Sequence, residues 1–127
     1  MIVVDASAAV LALLNDGEAR RALASEAACV PHLADAEVAH TLRAHVRRGQ
    51  IRADEGRTAL VTWARLGIDR WGVAGLLPRV WELRDNLTAY DAIYVALAEA
   101  LGSDLVTADA RLVRAAGPRC TIAVVRR

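Results

Sequence analysis

Apolar residues follow one another along this chain in two rhythms. Short unbroken apolar runs, "MIVVD", "ACVP", "DLVTAD" and "CTIAVV", are rich in β-branched residues and show no polar alternation. That is the mark of strands covered on both faces. Between them, apolar positions recur at three and four residues, which predicts helices. These are "SAAVLALLN" with Ser7 placed to cap it, a stretch from Glu18 to Glu26, and "HLADAEVAHTLRAHVRRG" ended by Gly49. "ADEGRTALVTWARLG", "LLPRVWELRDNL", "LTAYDAIYVALAEALG" and the short "ARLVRAAG" complete the set, while "IDRWGV" reads as a short, weakly marked strand. Strands alternating with helices predict a three-layer α/β/α fold around a central parallel sheet. In such a fold each crossover helix runs antiparallel to the strands it joins, so strand ends and helix starts share the carboxyl edge.

Composition narrows the picture further. The 127 residues fit one domain spanning 1–127, and the 55% hydrophobic content supports a full core. No apolar run approaches the roughly 18 residues that a membrane span needs. The start lacks a basic leader and meets Asp5 early, which predicts a cytoplasmic protein with no membrane partner. Cys29 and Cys120 lie far apart in apolar surroundings, so they read as small buried hydrophobes. Net charge is only +1, which excludes a global basic field and leaves any nucleic-acid contact to local patches. All 16 basic residues are arginine, so phosphate contacts would use planar, bidentate guanidinium groups.

The predicted topology gathers four acids on one edge. Asp5 closes the first strand and Asp109 follows "LVTA", while Glu37 stands in the first turns of the long helix and Asp91 opens its own helix. Open α/β folds bind ligands at that carboxyl edge. Asp91 also fits a capping pattern with Thr88, and an acid suits a helix N-terminus. Yet its stripe continues through Val95, Ala98 and Gly102 with Tyr94 beside it, which turns the carboxylate toward packed protein. Two carboxylates about 5 Å apart repel by roughly 3 kcal/mol at an effective dielectric of about 20, whereas a cap contributes about 1. Gathered acids therefore imply a shared cation. Hard oxygen ligands without a Cys/His set point to Mg²⁺ or Mn²⁺, and such a site serves phosphoryl chemistry. Ser7 and Thr107 stand two residues from Asp5 and Asp109, placed either as supporting donors or as a helix cap and an ordinary strand residue.

"VVDASA", "PHLADAEVAHTLR", "LTAYDAIYVALAEALG" and "LVTADARL" together resemble the motifs of PIN-domain ribonucleases, and most closely the toxin subunits of bacterial VapBC-type toxin-antitoxin pairs. The resemblance covers nearly the whole chain in the correct order. It implies a Mg²⁺-dependent endoribonuclease whose metal-binding and catalytic acids match Asp5, Glu37, Asp91 and Asp109. It also implies a homodimer held inactive by a cognate antitoxin, with cellular RNA as substrate. Local candidates for RNA contact are Arg43, Arg47 and Arg48 on the Glu37 helix, and Arg84 with Asn86 ahead of Asp91. A solvated helix face explains these equally well.

Other features have plainer readings. His40 and His45 lie five apart, not the four of a helical metal pair, so they read as surface or packing histidines, and His32 as structural. Trp63, Trp71 and Trp81 suit core or dimer contacts. Asp104 starts a strand and belongs on the opposite edge, and Asp35 reads as a helix-start acid. Two rival functions remain. A phosphatase or phosphotransfer domain fits poorly, because position 7 is serine where a second acid is usual and the chain has no lysine. A catalytically silent PIN-like interaction module is the rival from another class.

Overall fold

A computed structural model describes residues 1–127. The chain begins with β1 (Ile2–Val4), every residue of which is buried, and turns at once into α1 (Ala6–Leu14). Then follow α2 (Glu18–Ser25), β2 (Ala28–Pro31), α3 (Leu33–Arg47), α4 (Ala53–Arg65) and β3 (Asp69–Trp71). A 3₁₀ turn at Ala74–Leu76 leads into α5 (Leu77–Glu82), and α6 (Ala89–Leu101), β4 (Asp104–Thr107), α7 (Arg111–Arg114) and β5 (Ile122–Val124) complete the order. The five strands form one parallel sheet in the order β3-β2-β1-β4-β5. β1 is thus central, with Ile2 beside Ala28 on one side and Asp104 on the other.

Helices flank this sheet as the alternation predicts. α6 packs on β1, β2 and β4 with α5 behind it, whereas α1 packs with α2 and α3, and α3 with α4. Ala92 through Ala98 are all buried, so α6 is a core helix with little polar face. Its first turn is capped by the Thr88 hydroxyl, which accepts the Asp91 N–H at 3.2 Å. The return half of a capping box, from the Asp91 carboxylate to the Thr88 N–H, is not formed. Gly102 ends the helix at φ 62°, a left-handed conformation that glycine adopts without Cβ strain.

Several expectations need correction. Ser7 does not cap α1: the cap lies two residues earlier, at Asp5, whose Oδ1 accepts the Ala8 N–H at 2.9 Å. Asp35 does more than favour a helix start. It accepts from Trp63 Nε1 at 2.8 Å and takes the Arg70 guanidinium at 2.9 Å, tying α3 to α4 and β3. "IDRWGV" does form a strand, but an edge one with exposed Asp69 and Trp71. Among the tryptophans only Trp63 is core, while Trp71 and Trp81 are 44% and 69% exposed. Cys29 is buried as expected, Cys120 only partly. No helix is long and apolar enough to cross a membrane.

Candidate active site

Four acidic side chains stand along the carboxyl edge of the sheet, each delivered by a different element. Asp5 follows the central strand directly and is 6% exposed. Asp109 stands two residues beyond β4, Glu37 in the second turn of α3, and Asp91 in the first turn of α6, all three partly buried. Asp104, which pairs with Ile2, lies at the opposite edge as the strand direction requires.

Asp5 is the most completely bound of the four. Its Oδ1 accepts from the Ser7 hydroxyl at 2.6 Å as well as from Ala8 N–H, and its Oδ2 accepts from the Thr107 hydroxyl. Ser7 Oγ in turn accepts the Ala108 N–H at 2.9 Å, and Thr107 Oγ1 accepts the Asp109 N–H at 3.0 Å. The two hydroxyls therefore lock the end of β1 to the end of β4. A buried carboxylate needs such partners, since an unpaired one is costly. Even so, burial pushes the Asp5 carboxyl above its ordinary value: the three hydrogen bonds pull it down by less, and the Asp109 charge adds to the rise.

Glu37 and Asp91 are likewise pushed up. Burial is the main cause for both; the Asp5 and Asp109 charges add to it at Asp91, and the Asp91 and Asp5 charges at Glu37. The four acids thus share one electrostatic field. Glu37 is oriented by the buried Tyr94, whose hydroxyl donates to its Oε1 at 2.7 Å. Burial and that carboxylate hold the phenol strongly protonated. Asp109 goes the other way. Arg111 grips it from Nε at 3.0 Å and from Nη2 at 2.8 Å, and this pairing holds its carboxyl below the ordinary range.

The donor set is all oxygen, anionic and partly desolvated, which suits a hard divalent cation. It is not drawn into a closed cage: no three acidic, histidine or cysteine groups converge tightly enough to hold one ion. Asp109 faces Arg111 and Glu37 faces Tyr94, so mutual repulsion is relieved by separate partners.

None of the predicted arginines bonds to one of the four acids; Arg111 is the one that does. Arg43 and Arg47 are turned by about 120° and 80° around α3 from Glu37. They flank a groove of about 340 Å³ between α3 and α4, lined by Leu42, Val46 and Leu60. Arg48 is exposed at the end of α3, and Asn86 is exposed in the turn before α6. Arg84 stacks on Trp81 at 4.8 Å and donates to its carbonyl at 2.9 Å, touching no acid. His45 bonds Gln50, while His32 and His40 are exposed. Two site residues escaped the sequence reading, the Tyr94 hydroxyl and Arg111. Their signals were present in the spacing, three residues after Asp91 and two after Asp109.

A parallel sheet between helix layers, with separated acids brought to its carboxyl edge, defines a class. The PIN domain model matches residues 2–118, and the chain belongs to the PIN-domain family. Within that family it falls with the VapC ribonucleases. It is 57% identical over 127 residues to Ribonuclease VapC9 of Mycobacterium tuberculosis, covering all of both chains. It is 43% identical over 129 residues to Ribonuclease VapC1 of the same organism, covering 98% of this chain and 97% of that one. Among solved structures, VapBC2 from Rickettsia felis bound to a DNA fragment from their promoter superposes with a TM-score of 0.72. That match covers 99% of this chain and 100% of that one at 14% identity, a likeness of fold.

Proposed function

We propose that this chain is a single PIN domain that hydrolyses RNA phosphodiester bonds with a divalent metal, and is the toxic member of a toxin-antitoxin pair. The observation that carries this reading is the convergence of Asp5, Glu37, Asp91 and Asp109 from four separated elements into one shared field. The ribonuclease activity for which the VapC relatives are named points the same way. Asp5, Asp91 and Asp109 would hold Mg²⁺ or Mn²⁺, with Glu37 as a further ligand or as the base that positions water. A hard ion bound there makes water more acidic and offsets charge on a phosphodiester.

The chain's own groups supply the rest. Ser7 and Thr107 fix the Asp5 carboxylate and the backbone leading to Asp109, so two acids keep their relative position before any ligand arrives. Tyr94 occupies Glu37 Oε1 and leaves Oε2 to take a proton from an attacking water. The raised proton affinity of Glu37 suits that task, because a base works best with a pKa near the working pH. The phosphatase alternative loses further ground, since the Ser7 hydroxyl is committed to Asp5. Inhibition by a cognate antitoxin and assembly as a homodimer, which the resemblance to VapBC toxins implies, and residence in the cytoplasm, expected from the start of the sequence, are part of this reading.

The decisive experiment incubates purified, antitoxin-free protein with total RNA in Mg²⁺ or in EDTA, beside Asp91→Asn. Discrete cleavage products are expected only from the unsubstituted protein in Mg²⁺, with at least a hundredfold loss in the variant, typical of removing a group that stabilises transition-state charge. Cleavage indifferent to both EDTA and the substitution overturns the reading.

A further inference from the structure

The acid edge carries its own cation. Arg111 donates from Nε to Asp109 Oδ1 at 3.0 Å and from Nη2 to Oδ2 at 2.8 Å, and its backbone N–H reaches the same Oδ1 at 3.0 Å. Both oxygens of this one acid are occupied, whereas Asp91 keeps its carboxylate free of any arginine. The Arg111 side chain is nevertheless 86% exposed, and Asp109 is its only hydrogen-bonding partner. Two other paired arginines are held on two sides, Arg79 by the Gly117 carbonyl and Arg70 by the Ile68 carbonyl, whereas Arg52 beside Asp54 is an exposed pair away from the acid edge. An ion pair this exposed adds little to stability. It does set which charge the Asp109 carboxylate faces.

We propose that Arg111 is a displaceable counter-charge of the site. In the metal-free protein its guanidinium neutralises Asp109 and competes with a divalent cation for both carboxylate oxygens. When Asp109 turns to such a cation, the guanidinium is released at the site's rim. There its planar fork matches the oxygens of an RNA phosphate. The inference rests on reading the four acids as metal ligands. It makes Arg111 a residue that lowers metal affinity and raises substrate affinity, two effects that a purely structural arginine would not combine.

The test measures Mn²⁺ binding by calorimetry on the metal-free, full-length chain and on Arg111→Gln, Arg111→Lys, Arg114→Gln and Asp91→Asn, with circular dichroism to confirm folding. Arg114 is an exposed arginine on the same helix that touches no acid, and serves as the control. Arg111→Gln is expected to bind Mn²⁺ about tenfold tighter, as removal of one adjacent positive charge predicts after solvent screening. Arg111→Lys should fall between, and Arg114→Gln should match the parent. With a short RNA, Arg111→Gln should raise KM about tenfold and lower kcat less. Mn²⁺ binding no tighter in Arg111→Gln, while Asp91→Asn binds more weakly than the parent, overturns the role of Arg111 alone. Mn²⁺ binding undiminished in Asp91→Asn overturns the ligand assignment and this inference with it.

Discussion

Thr107 is fully buried, and its one hydroxyl both donates to Asp5 and accepts the Asp109 N–H, so a single oxygen spans the ends of β1 and β4. Thr107→Val keeps the shape and deletes both bonds. It is expected to cost about 1–3 kcal/mol, the range for stranding buried polar partners, measured as a lower urea midpoint at unchanged m-value. Because the lost bond was one that pulled the Asp5 carboxyl down, the acid side of the pH–activity profile should also move upward. Sequence reasoning reached Thr107 and Ser7 through their spacing from the acids, but misassigned the cap. Asp5 and Ser7 are both good capping residues two positions apart, and only the three-dimensional path of the chain decides between them. Arg111 was passed over for a different reason. A solvated arginine two residues from an acid is commonplace, and its significance depends on which other acids are nearby.

At the scale of elements, α5 and α6 are joined by an ion pair that periodicity does not reveal. Arg79 donates to Glu99 at 2.7 and 3.2 Å, with side chains only 19% and 15% exposed, and its Nη2 also holds the Gly117 carbonyl. Although burial opposes it, Arg79 and the Arg119 N–H hold the Glu99 carboxyl below its ordinary range. Arg79→Ala leaves that carboxylate half-buried with one donor, and should cost about 2–3 kcal/mol in urea unfolding at neutral pH. The penalty should shrink as pH falls below the ordinary glutamate range, because the stabilisation exists only while Glu99 is ionised. The buried strands β1 and β4 and the core helix α6 were legible from apolar content alone. β3 was doubtful because "DRW" is polar and pairs on one side only. The periodicity of "LLPRVWELRDNL" predicts a longer helix than α5, since the stretch from Leu83 to Leu87 is apolar at both ends yet folds as turns and a bend.

For the whole molecule, the edge that gathers acids is a net charge burden. Asp5, Glu37 and Asp91 bind protons more readily folded than unfolded. Between their ordinary and their raised values the native state therefore holds more protons, and stability falls as pH rises through that window. Asp35, Glu99 and Asp109, with lowered values, act oppositely and lose their contribution on acidification below the ordinary range. The metal-free protein should thus be most stable in mild acid rather than at neutrality. At neutral pH in EDTA, Asp91→Asn should melt higher by roughly 3–6 °C, for about 1 kcal/mol of relieved repulsion and desolvation. A lower melting temperature would show that helix-end stabilisation by Asp91 outweighs its neighbours. The same site also spans two timescales of motion. Asp5 hangs from the central strand, paired on both sides, so its backbone is released only when the sheet itself opens. Asp109 is tied to the end of β4 by the Thr107 hydroxyl, but Arg111 opens a four-residue helix, which frays at small cost. The carboxylates thus last as long as the native state, while the guanidinium beside them can come and go many times within that lifetime.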